Sequence, residues 1–375
     1  MKVLIGMTRS DTIVSGSFKH ICQIGEKFRE EAAEVVYVLG GNGEAITKLR
    51  SAGFKVYAMP NLKREVSFLS DFCSLFKLIW LILSEKPQVV SWHTAKIGAL
   101  GRIAAMLTFK KSYYVPHGVP FVNTPENVGF ERYQVIEKAL SYLPSKIIGV
   151  CEFDKNEYLR IGVSEKKVLV IRNGMLGKTS EGWKLTDGPV NFITAARFED
   201  QKDYVTLAAA CHKLHKENKP FTLSIYGDGQ NEEKVRSYFA NIPDGIINFC
   251  GVVSNFADKL IEADVFVLSS FWEGLPRSII EAMACKKACI ASDVGGCNEL
   301  IDQEKSGYLV PIHDIDVMYN AMTQYIDNKQ NIVEHGLAAY EIYTHQYSLP
   351  VMLDSYAKEY GIINEQLKAN MRQEA

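Results

Sequence analysis

The sequence predicts an α/β protein with two doubly wound, parallel-sheet domains. Short apolar segments of strand length alternate with helical patterns through the first half of the chain, and the alternation repeats after residue 189. Residues 174–189 are rich in Gly, Lys, Ser and Thr and form a linker between the halves. A chain of 375 residues, 47% hydrophobic and 23% charged, is long enough to bury two cores. We expect domains at residues 1–173 and 174–345, followed by a C-terminal segment at 346–375.

Six apolar segments mark the strands of the first domain. Ligands of such sheets bind at the carboxyl ends of the strands, so the loops that follow residues 7, 92 and 116 are candidate binding loops. The first loop contains Gly16 but lacks the G-x-G-x-x-G pattern, so a nicotinamide dinucleotide site has no support. His93 and His117 begin the other two loops, although a lone histidine is as often a satisfied structural group. The predicted strands are residues 3–7, 35–39, 56–59, 89–92, 112–116 and 146–150.

Residues 68–83 form the most apolar stretch of the chain. They include Asp71 and Lys77 and fall short of the roughly 20 apolar residues that a membrane span needs. We therefore predict a buried helix here.

The second domain repeats the alternation of strands and helices. Arg197 and Lys202 follow its first strand, and Glu273 follows its fourth, in a loop that leads into a helix. The first-turn amides of such a helix are unpaired and form a ready site for an anion. The predicted strands are residues 190–195, 221–226, 246–250, 265–268, 288–291 and 308–310.

Several of these residues also have purely structural interpretations. Ser278 and Glu281 have the spacing of a capping box, in which Glu281 would only close its own helix. Arg197 and Lys202 have the composition of an ordinary solvated loop. However, two cations beside a helix N-terminus match a diphosphate leaving group, whose negative charge grows as its bond breaks.

Residues 272–296, WEGLPRSIIEAMACKKACIASDVGG, resemble the signature of the family-four retaining glycosyltransferases, which have the GT-B fold. The Arg-x4-Lys pair at 197–202 and the segment HGVPF at 117–121 also match segments of that family. The similarity extends over most of the chain and is weakest in the first sixty residues. It implies two Rossmann-like domains facing across a cleft, with a final helix that crosses back to pack on the first domain.

The resemblance also implies roles for individual residues. Four of them are catalytic candidates: Glu273 for the sugar hydroxyls, His117 for the sugar–phosphate end, and Arg197 with Lys202 for the leaving diphosphate. The remaining candidates bind substrates: Gly16 near the donor phosphates, His93 near the acceptor, Gly251 and Val252 at the base, Gly274, Leu275 and Pro276 at the sugar, Arg277 and Ser278 at the phosphate through their amides, and Glu281 at the ribose.

The implied substrates are a nucleotide sugar, usually of uridine in this family, and a glycan acceptor. Members that build bacterial surface polysaccharides, such as O-antigen or capsule, on a polyprenyl diphosphate resemble this chain, so a lipid-linked acceptor is expected. The resemblance implies retention of the anomeric configuration. No cofactor and no metal are predicted, because Asp314 and Asp316 sit where a helix begins and read as an N-cap and a first-turn residue. A nucleotide-sugar epimerase and a non-catalytic nucleotide-sugar-binding protein remain alternatives.

Charge is divided unevenly along the chain. Residues 1–172 carry 24 Lys and Arg against 16 Asp and Glu, whereas residues 173–375 carry 18 against 28. The basic first half suits an anionic membrane surface at the inner leaflet, and lysines that merely solvate helices are the alternative. The N-terminal apolar run is too short for a signal peptide, and eight scattered cysteines suit a reduced compartment. We expect a cytoplasmic protein, peripheral on the inner membrane, with no nucleic-acid partner. The basic cluster consists of Lys63, Arg64, Lys77, Lys86, Lys96, Arg102, Lys110 and Lys111.

Overall fold

The computed structural model describes residues 1–11, 13, 15–63, 65–121, 130–178, 185 and 187–362. The chain divides into two compact units. One unit comprises Met1–Arg172 with Met352–Ala375, and the other comprises Asn173–Val351. The second unit therefore ends six residues beyond the boundary that the sequence predicts at residue 345. The end of the predicted C-terminal segment, residues 363–375, and part of the predicted linker lie outside the described residues.

The first unit contains a seven-stranded parallel sheet in the order β3-β2-β1-β4-β5-β6-β7. Six strands were predicted; the seventh, Val168–Val170, was not, because three residues are too few to show a period. The strands are β1 Lys2–Met7, β2 Glu34–Gly40, β3 Lys55–Met59, β4 Val89–His93, β5 Lys111–Val115, β6 Ser145–Gly149 and β7 Val168–Val170. The helices are α1 Gly16–Glu30, α2 Glu44–Ser51, α3 Phe68–Glu85, α4 Ala95–Leu107, α5 Phe130–Ser141 and α6 Glu152–Arg160.

The second unit contains a six-stranded parallel sheet in the order β10-β9-β8-β11-β12-β13. All six strands were predicted. They are β8 Val190–Ala195, β9 Phe221–Tyr226, β10 Ile247–Gly251, β11 Val265–Leu268, β12 Ala288–Ser292 and β13 Gly307–Val310. The helices are α7 Tyr204–Lys216, α8 Glu232–Tyr238, α9 Phe256–Glu262, α10 Arg277–Ala284, α11 Cys297–Leu300, α12 Ile315–Asp327 and α13 Gln330–Ile342.

The last described helix, α14 Leu349–Tyr360, ends in the first unit. Tyr356 and Tyr360 on its inner face are at most 2% exposed, and the Tyr360 ring stacks on Tyr113 of β5 with 4.4 Å between centroids. The Tyr113 hydroxyl donates to the backbone oxygen of Glu359 at 2.8 Å. These contacts hold the end of α14 against the first sheet.

Helix α3 confirms the predicted helix but corrects its predicted burial. Its inner face, which includes Ser74, Leu78 and Leu81, packs on the unit. Its outer face is exposed, because large apolar residues recur at helical spacing on both sides of the helix. The exposed residues are Phe68, Leu69, Phe72, Phe76, Trp80 and Leu83, each more than half exposed; we call them the α3 apolar face. Among the described residues, no helix is long and apolar enough to cross a bilayer.

Arg102 also departs from its predicted place in an exposed basic cluster. Its side chain is fully buried and forms two hydrogen bonds with the Glu137 carboxylate, at 3.0 and 2.9 Å. The guanidinium also lies 4.2 Å from the Tyr114 ring centroid. A buried charge needs such a partner, and with its side chain enclosed in the core of the first unit Arg102 cannot face a membrane.

The predicted cap at Asp314 is confirmed. Asp314 is the N-cap of α12, and its carboxylate accepts a hydrogen bond from the Val317 amide at 2.9 Å. Asp316 lies in the first turn, where a negative charge is favourable, and pairs with Lys213 at 2.9 Å.

Candidate active site

The candidate site of the second unit lies where its strand order reverses, between β8 and β11. Open α/β sheets bind ligands beside the strand ends at such switch points. Hydrogen bonds join the loops that follow these two strands: the Phe271 amide donates to the Gln201 carbonyl at 2.8 Å, and Gln201 Nε2 donates to the Trp272 carbonyl at 2.7 Å. The two loops that carry the predicted cations and Glu273 are therefore held together.

Lys202 and Glu273 form an ion pair at this edge. Lys202 Nζ lies 2.6 Å from Glu273 Oε1, and the two side chains are only 14% and 11% exposed. The Ser270 hydroxyl donates to the same carboxylate oxygen at 2.7 Å. Charge-assisted bonds from two donors fix the carboxylate and the ammonium group in one arrangement. Ser270 was not among the predicted site residues, because a serine at a strand end carries no distinctive signal.

Two glycines after β12 complete the loop around Glu273. Gly295 has φ of +49°, and a Cβ atom on it would lie 1.8 Å from the Glu273 carbonyl oxygen. The next residue, Gly296, donates its amide proton to the Gly274 carbonyl at 2.7 Å. The close approach requires glycine at position 295. The resembling segment contains both glycines, but the sequence alone gave them no role.

Helix α10 begins at Arg277, with Pro276 as its N-cap. Ser278 therefore lies in the first turn of the helix. A capping box would need Ser278 at the N-cap position, so this alternative for Ser278 and Glu281 is excluded. The amides of Arg277 and Ser278 are first-turn amides, as predicted for an anion site. Burial lowers the pKa of the Arg277 guanidinium, and the Glu281 carboxylate one turn later opposes this shift.

Arg197 does not share the arrangement of Lys202. Its guanidinium is paired with Glu199 at 2.7 Å, and its side chain is 66% exposed. Gly251 ends β10, where its carbonyl accepts a hydrogen bond from the Gly227 amide at 2.9 Å, and Val252 is 67% exposed. Of the predicted catalytic residues in this unit, Lys202 and Glu273 form an ion pair, whereas Arg197 is paired with Glu199.

The first unit has its own switch point, between β1 and β4. Gly16 is the first residue of α1, whose N-cap Ser15 accepts a hydrogen bond from the Phe18 amide at 3.3 Å. The Thr8 hydroxyl accepts a hydrogen bond from the first-turn amide of Ile97 in α4 at 3.1 Å. Two helix N-termini therefore flank this strand end.

Three histidines meet at the same edge of the first sheet. His93 was predicted to follow β4, but it is the last residue of that strand and is fully buried. Its Nδ1 atom lies 2.8 Å from Nε2 of the partly exposed His117. Burial lowers the pKa of His93 well below its usual range, and the proximity of His117 lowers it further. His20 lies 4.8 Å from His117 between ring centroids and was missed, because on the apolar face of α1 it reads as a core position.

Within the described part of the chain, these histidines are the group whose spacing allows a metal ion. One nitrogen from each of His20, His93 and His117 lies within 4.8 Å of the others. His93 already uses both nitrogens in hydrogen bonds, to His117 at 2.8 Å and to the Ser91 hydroxyl at 2.9 Å. The donors therefore fit a hydrogen-bonded cluster better than a set of ligands, and the absence of a metal stays a prediction.

Comparison with known protein families covers both units. Residues 14–175 match the profile of glycosyltransferase family 4, and residues 189–328 match that of the glycosyl transferases group 1. This chain belongs to the family-four glycosyltransferases. The predicted fold class of two Rossmann-like units is confirmed by solved structures: the crystal structure of Anabaena Alr3699/HepE in complex with UDP superposes with a TM-score of 0.80 at 17% identity, covering 97% of this glycosyltransferase and 100% of that chain.

Two curated relatives come from Escherichia coli. One is UDP-Gal:alpha-D-GlcNAc-diphosphoundecaprenol alpha-1,3-galactosyltransferase, 27% identical over 346 residues, covering 88% of this glycosyltransferase and 89% of the relative. The other is the O-antigen biosynthesis glycosyltransferase WbnH, 27% identical over 361 residues, covering 96% and 98%.

Proposed function

We propose that this glycosyltransferase moves a hexosyl or N-acetylhexosaminyl group from a uridine diphosphate sugar to a lipid-linked saccharide, with retention of configuration and without a bound metal. The pairing of Lys202 with Glu273 beside the α10 N-terminus carries the proposal. A cation, a carboxylate and the first-turn amides of a helix at one strand edge suit a charged donor with a sugar attached. Retention rests on the family resemblance.

The donor diphosphate is assigned to the N-terminus of α10. The first-turn amides of Arg277 and Ser278 would donate to its phosphate oxygens, and the Lys202 ammonium group is held by Glu273 of the loop before this helix. Arg197 joins them by leaving Glu199, an exchange that costs little because exposed ion pairs contribute only about 0–1 kcal/mol. These groups supply the positive charge that many transferases obtain from a divalent cation.

The donor sugar and nucleoside are assigned to the neighbouring groups. Glu273 and the amides of Gly274 and Leu275 hold sugar hydroxyls, and Glu281 accepts hydrogen bonds from the ribose. His117 acts at the sugar–phosphate end. The remaining assignments are Gly16 at the phosphates, Pro276 in the sugar loop, and Gly251 with Val252 at the base. Uridine is supported by the family preference and by the UDP complex of the Anabaena protein.

The acceptor is assigned to the first unit. The E. coli galactosyltransferase is named for an acceptor on diphosphoundecaprenol, which supports a lipid carrier here. The α3 apolar face supports it independently. Helix α3 has 18 residues, hence a length of about 27 Å, and an exposed apolar stripe of that size is typical of an interaction surface. Lys63, five residues before α3, and Lys86, its C-cap, are exposed, which suits an anionic leaflet.

Vesicle sedimentation tests the membrane contact. The double variant Phe72→Ser/Phe76→Ser shortens the α3 apolar face at two adjacent, half-exposed rings. It should lose most binding to vesicles that contain anionic lipid, whereas Leu337→Ser, which changes a half-exposed leucine of the second unit, should bind like the wild type. Equal binding by all three proteins would remove the assignment of the α3 face.

Nucleotide release tests the reaction itself. With a UDP-sugar and a lipid-linked saccharide, release of UDP should require the acceptor and should persist in EDTA. Conversion of the donor sugar without acceptor would indicate an epimerase instead. Binding of UDP with no turnover on any acceptor would indicate a nucleotide-sugar-binding protein.

A further inference from the structure

A line of buried hydrogen bonds runs from the end of α14 to His117. The Tyr360 hydroxyl lies 2.6 Å from Ser91 Oγ, which lies 2.9 Å from His93 Nε2. His93 Nδ1 lies 2.8 Å from His117 Nε2. Tyr360, Ser91 and His93 are at most 2% exposed, and all four residues belong to the first unit. The roles assigned to the site residues do not explain why Tyr360, the last residue of α14, is connected to His117.

The charge state of His93 limits how protons are arranged in this line. Burial and the neighbouring His117 both lower the pKa of His93, so its ring is neutral at neutral pH. A neutral imidazole carries one proton: one nitrogen donates and the other accepts. His93 therefore donates either to Ser91 or to His117, and accepts from the other.

The hydrogen bond of Tyr360 determines which of these two partners His93 donates to. Burial raises the pKa of Tyr360 well above its usual range, so the hydroxyl keeps its proton. Among the described residues, Ser91 Oγ is the acceptor within hydrogen-bond distance of that hydroxyl. A buried donor without an acceptor costs about 1–3 kcal/mol, so the Tyr360 proton points to Ser91. The Ser91 hydroxyl also has a proton that needs an acceptor, and among the described residues the other atom within hydrogen-bond distance of Ser91 Oγ is His93 Nε2, so Ser91 donates to it.

Because His93 Nε2 accepts from Ser91, the single ring proton of His93 lies on Nδ1 and points to His117 Nε2. Since that nitrogen accepts a hydrogen bond, the proton of a neutral His117 lies on its Nδ1. The backbone of His117 has φ of +59°, an uncommon conformation for a residue with a side chain, and such conformations persist where the surroundings fix them.

We propose that Tyr360, Ser91 and His93 form a positioning chain that holds His117 neutral, protonated on Nδ1, as a hydrogen-bond donor to the substrate. The three residues act through His117 and need not touch the substrate themselves. The proposal deepens the proposed function, because it rests on the assigned role of His117. In this state His117 is a hydrogen-bond donor and not a base. A second proton on His117 would lie on Nε2 and meet the proton on His93 Nδ1, unless every hydrogen bond from Tyr360 to His117 reversed its direction.

The variant Tyr360→Phe tests the chain in the full-length protein. It removes the hydroxyl and retains the ring that stacks on Tyr113, so that Ser91 is free to accept from His93. Nitrogen-15 NMR of the histidine rings should show His117 protonated on Nδ1 in the wild type and as a mixture of tautomers in the variant. Turnover should fall about two- to tenfold, in proportion to the fraction of His117 that loses the Nδ1 proton, with little change in the donor KM.

Tyr37→Phe is the matched control. Tyr37 is an equally buried tyrosine of the same unit, and its hydroxyl donates to the Ile21 carbonyl at 2.9 Å, outside the positioning chain. Tyr37→Phe should lower the free energy of unfolding about as much as Tyr360→Phe does, without changing the His117 tautomer. If Tyr360→Phe does not fold, Ser91→Ala should give the same tautomer mixture.

Three results would overturn the proposal. These are a wild-type His117 protonated on Nε2, a Tyr360→Phe protein with wild-type ring signals and turnover, and ring signals of His93 and His117 that change on chelation, which would indicate a bound metal. The NMR readout uses the free protein, so it separates this proposal from the proposed function. Full activity in His117→Ala would remove both the assigned catalytic role and the proposed donation to the substrate, and would leave only the tautomer assignment.

Discussion

Lys202 holds one position between a carboxylate and the proposed diphosphate. Its ammonium group lies 2.6 Å from Glu273 Oε1 in a mostly buried setting. We predict that Lys202→Met lowers turnover by about 100-fold, the scale of losing one preorganised charge stabiliser. The initial rate of UDP release measures it. Lys234→Met is the control, because Lys234 of α8 forms an exposed ion pair of 2.9 Å with Asp200, which lies on the same loop as Lys202. Similar rates in both variants would contradict the assigned role of Lys202.

Glu281 gives a second prediction at the scale of one residue. Because Pro276 is the N-cap of α10, Ser278 lies inside the helix and does not occupy the position of a capping-box serine. We predict that Glu281→Gln weakens UDP binding and leaves the melting temperature nearly unchanged. Calorimetry of UDP binding beside a melting curve measures both quantities. A loss of about 1 kcal/mol in stability with normal UDP affinity would restore a structural role.

At the scale of elements, the loop after β12 supports the loop after β11. Gly295→Ala would place a Cβ atom against the Glu273 carbonyl oxygen and should lower turnover at least tenfold, because a displacement of about 1 Å at a catalytic group can cost that much or more. Gly245→Ala is the control, since Gly245 also has a positive φ, +90°, but faces open space. Comparable activity in both alanine variants would show that the close contact is unimportant.

Lys287, just before β12, hydrogen-bonds to the end of α9 and makes the stability of the second unit depend on pH. Its buried ammonium group donates to the Ile261 and Ala263 carbonyl oxygens at 3.3 and 2.7 Å, at the end of α9. Burial lowers the pKa of Lys287 to about 8. The unfolded lysine keeps its proton up to its ordinary pKa of 10.5, so the unfolded state binds more protons between these values. The free energy of unfolding should therefore rise with pH from about 8 to 10.5.

Chemical denaturation of the wild type and Lys287→Met across this range checks the sign. The difference in unfolding free energy between the two proteins should change by about 2–3 kcal/mol in favour of the wild type as pH rises. Parallel curves would contradict the assigned pKa of Lys287, since all other groups titrate in both proteins.

At the scale of the whole molecule, the sequence predicts the sheets better than the surfaces. Strands buried on both faces have short apolar sequences, so twelve of the thirteen strands in the described part of the chain, and the loops at their ends, were predictable. Whether an apolar helix is buried on all sides depends on what packs over it, and the sequence does not show this. The exposed face of α3 was therefore not predictable. Arg102 shows the same limit, because its partner Glu137 lies 35 residues away.

The candidate site was predictable in part for the same reason. Lys202 and Glu273 both follow strands, and the doubly wound order brings those strands together. Tyr360 comes from the far end of the chain, 269 residues from Ser91, and only the folded structure brings it to the histidines.

Mass spectrometry of the product tests the central claim most directly. The wild type, a panel of uridine diphosphate sugars and a polyprenyl-diphosphate-linked saccharide should yield the acceptor enlarged by one hexose or N-acetylhexosamine, and Lys202→Met should yield about 100-fold less in the same time. NMR of the product should show the anomeric configuration of the donor. An unchanged acceptor with every donor in the panel, or a product of inverted configuration, would contradict the account.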